Sequence, residues 1–196
     1  MNNEGVPSKQ EQRARARGLL KAMSRESQRD QSTQIEKALS AWLTEKDVTS
    51  LLVTLPLAGE PDLTSFFRRW FESGRALALA RAEADHGLSF RVLTQWDPAW
   101  TGPENLLREA PIDAAEWNLS ARTVCLVPGL AFARGKDRGF DRLGRGGGVF
   151  DRWLEQKPAG LVTMGVGYHE IFLDHLTVEQ HDRRVDLAVT ADGVLA

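Results

Sequence analysis

Six short apolar runs, "SLLVTLPL", "RALALA", "LSFRVL", "RTVCLVPGLAF", "AGLVTMGVGY" and "RVDLAVT", restrict the fold of this chain more than any other feature. Runs of this length bounded by turn residues read as strands, several of them buried, and between them the apolar period changes to that of helices. Lys9 to Met23 reads as a basic first helix. Ser24 then offers an N-cap to a second helix whose Ile35, Leu39, Trp42 and Leu43 share one face. Asp62 can cap a third, in which Leu63, Phe66, Phe67, Trp70 and Phe71 follow helical spacing before Gly74 supplies the stop. Phe150 to Glu155 begins a fourth. Alternating strands and helices predict an α/β chain, a single three-layer α/β/α domain with a mostly parallel central sheet over residues 1–196. From Thr94 to Ala121 no period is clear, and a functional surface loop is expected there.

What the chain works on is narrowed by its charge. Lys and Arg total 25 against 27 Asp and Glu, a net charge of −2, so no global basic field favours nucleic acid or an anionic membrane. Any anion site must be local. The lone Cys125 lies in an apolar run and reads as a buried hydrophobe, which fits a reducing compartment. There is no apolar core of signal-peptide length near the start and no run of 18 apolar residues, so a cytoplasmic protein is expected. His169 and His175 have no partners at zinc-site spacing, and no G-x-S-x-G elbow is present.

The stretch "RLGRGGGVFDRW" places Gly144, Gly146, Gly147 and Gly148 between a predicted strand and a predicted helix. A loop of this kind presents bare amide N–H groups to an anion, and Arg142 and Arg145 add two cations, so phosphate is the expected ligand. The spacing is neither that of a P-loop nor G-x-G-x-x-G. A glycine-rich turn with no ligand is the competing reading.

Taken jointly, "LVPGLAF" followed by "RLGRGGGVFDRWL", with Lys9-x-x-x-Arg13 at the start and "HDRRVDLAVT" at the end, resembles the 5-formyltetrahydrofolate cyclo-ligase (methenyltetrahydrofolate synthetase) family over nearly the whole chain. The resemblance implies ATP- and Mg²⁺-dependent closure of 5-formyltetrahydrofolate to 5,10-methenyltetrahydrofolate, with release of ADP and phosphate. It implies Lys9 and Arg13 as contacts to the ATP phosphates. Arg142, Leu143, Gly144, Arg145, Gly146, Gly147, Gly148, Val149 and Phe150 would form the cradle, with Arg142 and Arg145 as its catalytic cations. Leu55, Glu60 and Val149 would meet the folate, and Asp151 and Asp182 would be Mg²⁺-associated carboxylates. A monomer with a small-molecule substrate and no nucleic-acid or membrane partner is expected.

Each residue also has a plainer reading. Lys9 and Arg13 suit a solvated helix face, Asp151 a helix's first turn, His181-Asp182 a polar turn and Glu60 a surface turn. Trp96, Trp100 and Trp117 suit either a ring-stacking wall or loop anchors. The chain departs from the family pattern at Val149 and Phe150, which replace two tyrosines, at Ile171 and Thr177, and in a longer "ARGKDRGFD". These departures give a second reading: a divergent nucleotide-binding member with another substrate or a non-enzymatic role.

Overall fold

The computed structural model describes residues 7–83, 87–97, 109–118 and 122–196. Helix α1 (Lys9–Ala22) opens on Ser8, whose hydroxyl accepts the Glu11 amide while the Glu11 carboxylate accepts the Ser8 amide. This reciprocal capping box satisfies two amides that the helix itself leaves unpaired. Helix α2 (Arg25–Glu45) is capped by Ser24 as expected, and buries Ile35, Leu39 and Leu43 at one-turn intervals. In α3 (Thr64–Glu72), Asp62 Oδ1 accepts the Thr64 amide at 3.0 Å, and Trp70, 1% exposed, donates its indole N–H to Ala76 O at 2.9 Å.

The large sheet contains β1 (Ser50–Val53), β2 (Ala76–Ala82), β3 (Leu88–Val92), β4 (Thr123–Pro128), β7 (Val162–Val166), β9 (Leu187–Thr190) and β10 (Gly193–Leu195). Their order is β10-β9-β7-β4-β1-β2-β3. Four neighbouring pairs, from β9 through β7, β4 and β1 to β2, are parallel, and only the edge strands β10 and β3 run antiparallel. Interior strands covered on both faces need apolar side chains throughout, and Leu51, Leu52, Cys125 and Val127 are all fully buried. Helix α2 packs on β9 and β10, and α3 on β2. The architecture is the mixed α/β fold with a mostly parallel sheet that the alternating periods predict.

One expected strand is two. "RTVCLVPGLAF" divides at Pro128, which has no amide to extend the ladder. After it, β5 (Ala131–Arg134) joins β6 (Phe140–Leu143) and the short β8 (Phe172–Leu173) in a second sheet of order β6-β5-β8. Stacking of Phe132 on Phe172, with ring centroids 5.3 Å apart, fixes this small sheet. Arg142 and Leu143 therefore stand in a strand, opposite Phe132 and Ala131, and the loop proper is Gly144–Gly148 before α4 (Val149–Glu155). Within the surface excursion, Glu116 bridges Arg91 and the Trp117 amide donates to Phe90 O at 2.7 Å, so its described part lies along β3.

Candidate functional site

Chain order along the sheet fixes where a ligand would sit. From β1 the chain moves to β2 on one side, and then returns to place β4 on the other, which makes the β1–β4 gap a topological switch point. Crevices form at the carboxyl ends of strands at such a point. A cavity of ≈ 300 Å³ opens there, bounded by Thr54, Leu55 and Leu57 after β1, Ala80 and Ala82 of β2, and Pro128 and Gly129 at the end of β4. The glycine loop closes it from the second sheet, so the strand break at Pro128 is what brings that loop over the main sheet.

Of the residues singled out in the sequence, Leu55, Glu60, Arg142, Gly144, Arg145, Gly147, Gly148, Val149, Phe150 and Asp151 line this one cavity. Arg142 is 6% exposed; its Nη2 donates to Asp151 Oδ1 at 2.8 Å and its Nη1 to Pro128 O at 3.3 Å. Among the described residues its Nε has no hydrogen-bond partner. Phe150 lies beside the same guanidinium, 5.6 Å from ring centroid to Cζ. Arg145 is more open, 43% exposed, and reaches across the cavity to Glu60 Oε1 at 2.8 Å. Glu60 Oε2 accepts the Leu57 amide at 3.0 Å. A carboxylate held this way accepts hydrogen bonds only, which suits the amino and ring N–H donors of a pterin.

In the loop itself, Gly146 (φ 116°) and Gly148 (φ 64°) adopt positive φ, where a side chain is strained. Arg13 Nε donates to Gly144 O at 3.0 Å, which places α1 against the loop. Leu143 is buried behind it. Lys9 and Asp182 sit farther round: Lys9 Nζ meets Asp182 Oδ2 at 2.6 Å and Glu179 Oε2 at 3.1 Å. Burial alone would depress the Lys9 ammonium, but these two carboxylates outweigh it and raise its pKa. Burial likewise opposes ionisation of Asp182, while hydrogen bonds from Lys9 and the Glu179 amide hold its pKa below the ordinary value. Asp182 lines a second cavity of ≈ 360 Å³ together with Arg142, Arg183 and Arg184, and Arg142 is the wall shared by the two cavities.

Hard carboxylate oxygens are the ligands that magnesium prefers. Here Asp151 is paired with Arg142 and Asp182 with Lys9, and among the described residues no group of three or more His, Cys, Asp or Glu is placed to hold a metal ion. The two carboxylates do not fit a metal centre made by protein alone.

Several cavity residues carry no motif. Ala80, Ala82 and Leu88 come from β2 and β3, and Glu109 from the irregular excursion, where only the tertiary fold brings it to the site. Trp96 and Trp117 pack on the core without lining the cavity, and Trp100 lies outside the described residues. Burial pushes the Cys125 thiol up against the opposing charge of Lys157, which disfavours the reactive thiolate. No helix among the described residues is long and apolar enough to cross a membrane.

Comparison with known proteins converges on one family. The chain is 31% identical over 157 residues to a 5-formyltetrahydrofolate cyclo-ligase of Mycolicibacterium smegmatis, covering 74% of this chain and 76% of that one. The solution structure of Aquifex aeolicus 5,10-methenyltetrahydrofolate synthetase superposes with a TM-score of 0.76 at 25% identity, over 95% of this chain and 91% of that one. The fold is also shared with Mycoplasma pneumoniae 5,10-methenyltetrahydrofolate synthetase, with a TM-score of 0.73 at 19% identity, over 94% and 99% of the two chains. With the family's own model matching residues 6–191, the cavity at the switch point is that of an enzyme fold, and the chain belongs to the 5-formyltetrahydrofolate cyclo-ligase family.

Proposed function

We propose that this protein closes 5-formyltetrahydrofolate to 5,10-methenyltetrahydrofolate with ATP as co-substrate. In this reading the nucleotide phosphates lie on Gly144–Gly148 and the pterin lies against Glu60. The observation that carries it is the Arg145–Glu60 ion pair, which joins a phosphate-type loop to a pterin-type carboxylate across one cavity. Leu55, Leu57, Ala80 and Val149 give that cavity apolar walls for a flat ring.

The formyl oxygen is a poor leaving group until it is phosphorylated. Transfer of the γ-phosphoryl group forms an O–P bond at the formyl oxygen and breaks the bond to the β-phosphate oxygen, releasing ADP. N10 then attacks the formyl carbon and loses its proton, and the C–O bond breaks with phosphate as the leaving group. The protein's contribution is alignment and charge stabilisation. Arg142, fixed by Asp151 and Pro128 O, keeps its Nε for an incoming oxygen. Arg145, being exposed, exchanges Glu60 for phosphate as the pterin takes the carboxylate. Arg13, bonded to Gly144 O, is the cation that α1 adds beside the loop, and Lys9 would contribute to phosphate binding only by exchanging Asp182 and Glu179 for it. Mg²⁺, where the reaction needs it, would be carried by the nucleotide phosphates rather than held by Asp151 and Asp182, and would supply charge neutralisation there. The balanced net charge and the buried lone cysteine suit a cytoplasmic location.

The test is direct: pure protein with ATP, Mg²⁺ and 5-formyltetrahydrofolate should give the near-ultraviolet absorbance of the methenyl product, and omission of ATP should abolish it. A folded protein that gives no absorbance gain would sink the proposal. One observation favours a second reading. Val149 and Phe150 line the cavity without a hydroxyl, which leaves room for a ligand other than folate. Stabilisation by ATP without methenyl formation would support a nucleotide-binding member with another substrate.

A further inference from the structure

Glu60 sits in a turn flanked by Pro56 and Pro61, outside both sheets, and its own turn supplies one backbone bond, from the Glu60 amide to Leu57 O at 2.9 Å. What holds the following two peptides comes from elsewhere. Glu60 O accepts the Tyr168 hydroxyl at 3.1 Å, and the Asp62 amide donates to Ser32 Oγ at 3.1 Å. The two hydroxyls are 3.3 Å apart, and Ser32 Oγ is anchored in turn to Gln28 O at 2.7 Å. Tyr168 is the chain's only tyrosine and is 2% exposed, yet it does not line the cavity. A ring of that size could fill the space without a hydroxyl, and a buried hydroxyl is retained only where it is paired.

We propose that Tyr168, together with Ser32, is the positioning residue that aims the Glu60 carboxylate into the cavity, and so sets recognition of the hydrogen-bond donors on the substrate ring. The substrate half of this statement rests on the function proposed above. The geometry is a clamp: α2 supplies Ser32, the turn after β7 supplies Tyr168, and together they grip the peptides on either side of Pro61. A shift there swings the Glu60 side chain, and with it the bonds to the Leu57 amide and Arg145.

Two measurements on the full chain test it. In Tyr168→Phe, hydrogen exchange at the Leu57 and Asp62 amides should speed up about tenfold while β1 amides keep their rates, because the loss is local. The KM for 5-formyltetrahydrofolate should rise about fivefold with kcat and the KM for ATP nearly unchanged, the pattern of lost uniform binding. Placed in a Glu60→Gln background, Tyr168→Phe should add little, since both changes act through one group. Ser32→Ala serves the same purpose if Tyr168→Phe fails to fold. Unchanged exchange at Leu57 and Asp62, or folate and ATP KM values that rise together, would overturn the proposal. If the unaltered protein forms no methenyl product, the function fails, and the exchange rates still decide whether Tyr168 holds the turn.

Discussion

Arg142 carries a charge on a side chain only 3% exposed, so its energetics are dominated by what Asp151 gives back. Breaking a buried pair by removing one partner leaves the other charge uncompensated, at a cost of about 3–5 kcal/mol. Asp151→Asn should therefore lower the unfolding free energy by roughly 3 kcal/mol in urea titrations without any ligand, the partial exposure of Asp151 keeping the loss to the lower end of that range. A loss below about 1 kcal/mol, the range of surface pairs, would show that the pair contributes little to the fold. The loop glycines call for a different comparison. Gly146 has φ 116°, which L side chains rarely adopt, so Gly146→Ala is strained whether or not phosphate binds, even though a Cβ there would meet Arg13 only at an ordinary contact distance of 3.9 Å. Melting of the free protein cannot separate strain from obstruction, whereas the ATP-induced shift can. It follows RT ln(1 + [L]/Kd), and a tenfold weaker affinity removes about 1.4 kcal/mol of it. Gly146→Ala and Gly148→Ala should each lose most of that shift at ATP concentrations that saturate the unaltered protein. Retention of the full shift in both would leave the glycines a turn role alone.

At the level of elements, α1 is held to the second sheet and the C-terminal region by side chains. Arg13 reaches Gly144 O, the buried Gln12 accepts the Thr177 amide at 3.0 Å, and Lys9 pairs with Asp182, 173 positions away. If α1 is part of the nucleotide site, Arg13→Gln should weaken ATP binding about tenfold by calorimetry, or about 1.4 kcal/mol, with melting of the free protein shifted little. Equal affinities would return α1 to a structural strut. These tethers also mark where sequence reading stops. Helices α1 to α3 were legible because caps and apolar spacing are local, and β1, β2 and β7 because burial on both faces keeps them predominantly apolar. The second sheet was not: β8 has two residues, β5 continues an apolar run that reads as one strand, and its departure after Pro128 rests on pairing with β6 and β8 and on Phe132 stacking on Phe172, contacts that local sequence does not show. The same holds at the site. The stretch around the glycine loop is a contiguous word in the sequence and holds both members of the Arg142–Asp151 pair, nine positions apart, but the partners of Lys9 and Glu60, Asp182 and Arg145, are set by long-range folding. Ser8 is an exception of the opposite kind, since Ser8-Lys9-Gln10-Glu11 spells its capping box within four adjacent residues.

For the whole molecule, the joint between β7 and β9 decides whether the far side of the sheet, with α2 packed on it, stays attached. Asp186 is its staple: Oδ2 accepts the Thr163 amide at 2.8 Å, the Thr163 hydroxyl at 2.7 Å and Lys157 Nζ at 2.8 Å. Its own amide donates back to Thr163 O at 3.0 Å. Burial opposes ionisation of this carboxyl, but Lys157 and the two Thr163 donors outweigh it and hold its pKa below the ordinary 3.8. The sign follows from linkage. A group whose pKa is lower in the folded state contributes stability above its unfolded value and loses that contribution as pH falls through its folded value. Asp186 thus stabilises the fold throughout the neutral range and stops doing so in acid below 3.8. Asp186→Asn removes the charge without removing the volume, so the gap in unfolding free energy between it and the unaltered protein isolates this one group. Other depressed carboxyls, Glu11 and Glu83 among them, titrate alike in both proteins and cancel. The gap should be constant from neutral pH down to about 5, then narrow as Asp186 protonates. Urea unfolding at a series of pH values measures it, and a gap that stays constant to pH of about 3 would mean that the joint is held by its backbone bonds and the Thr163 hydroxyl, with the Asp186 charge irrelevant.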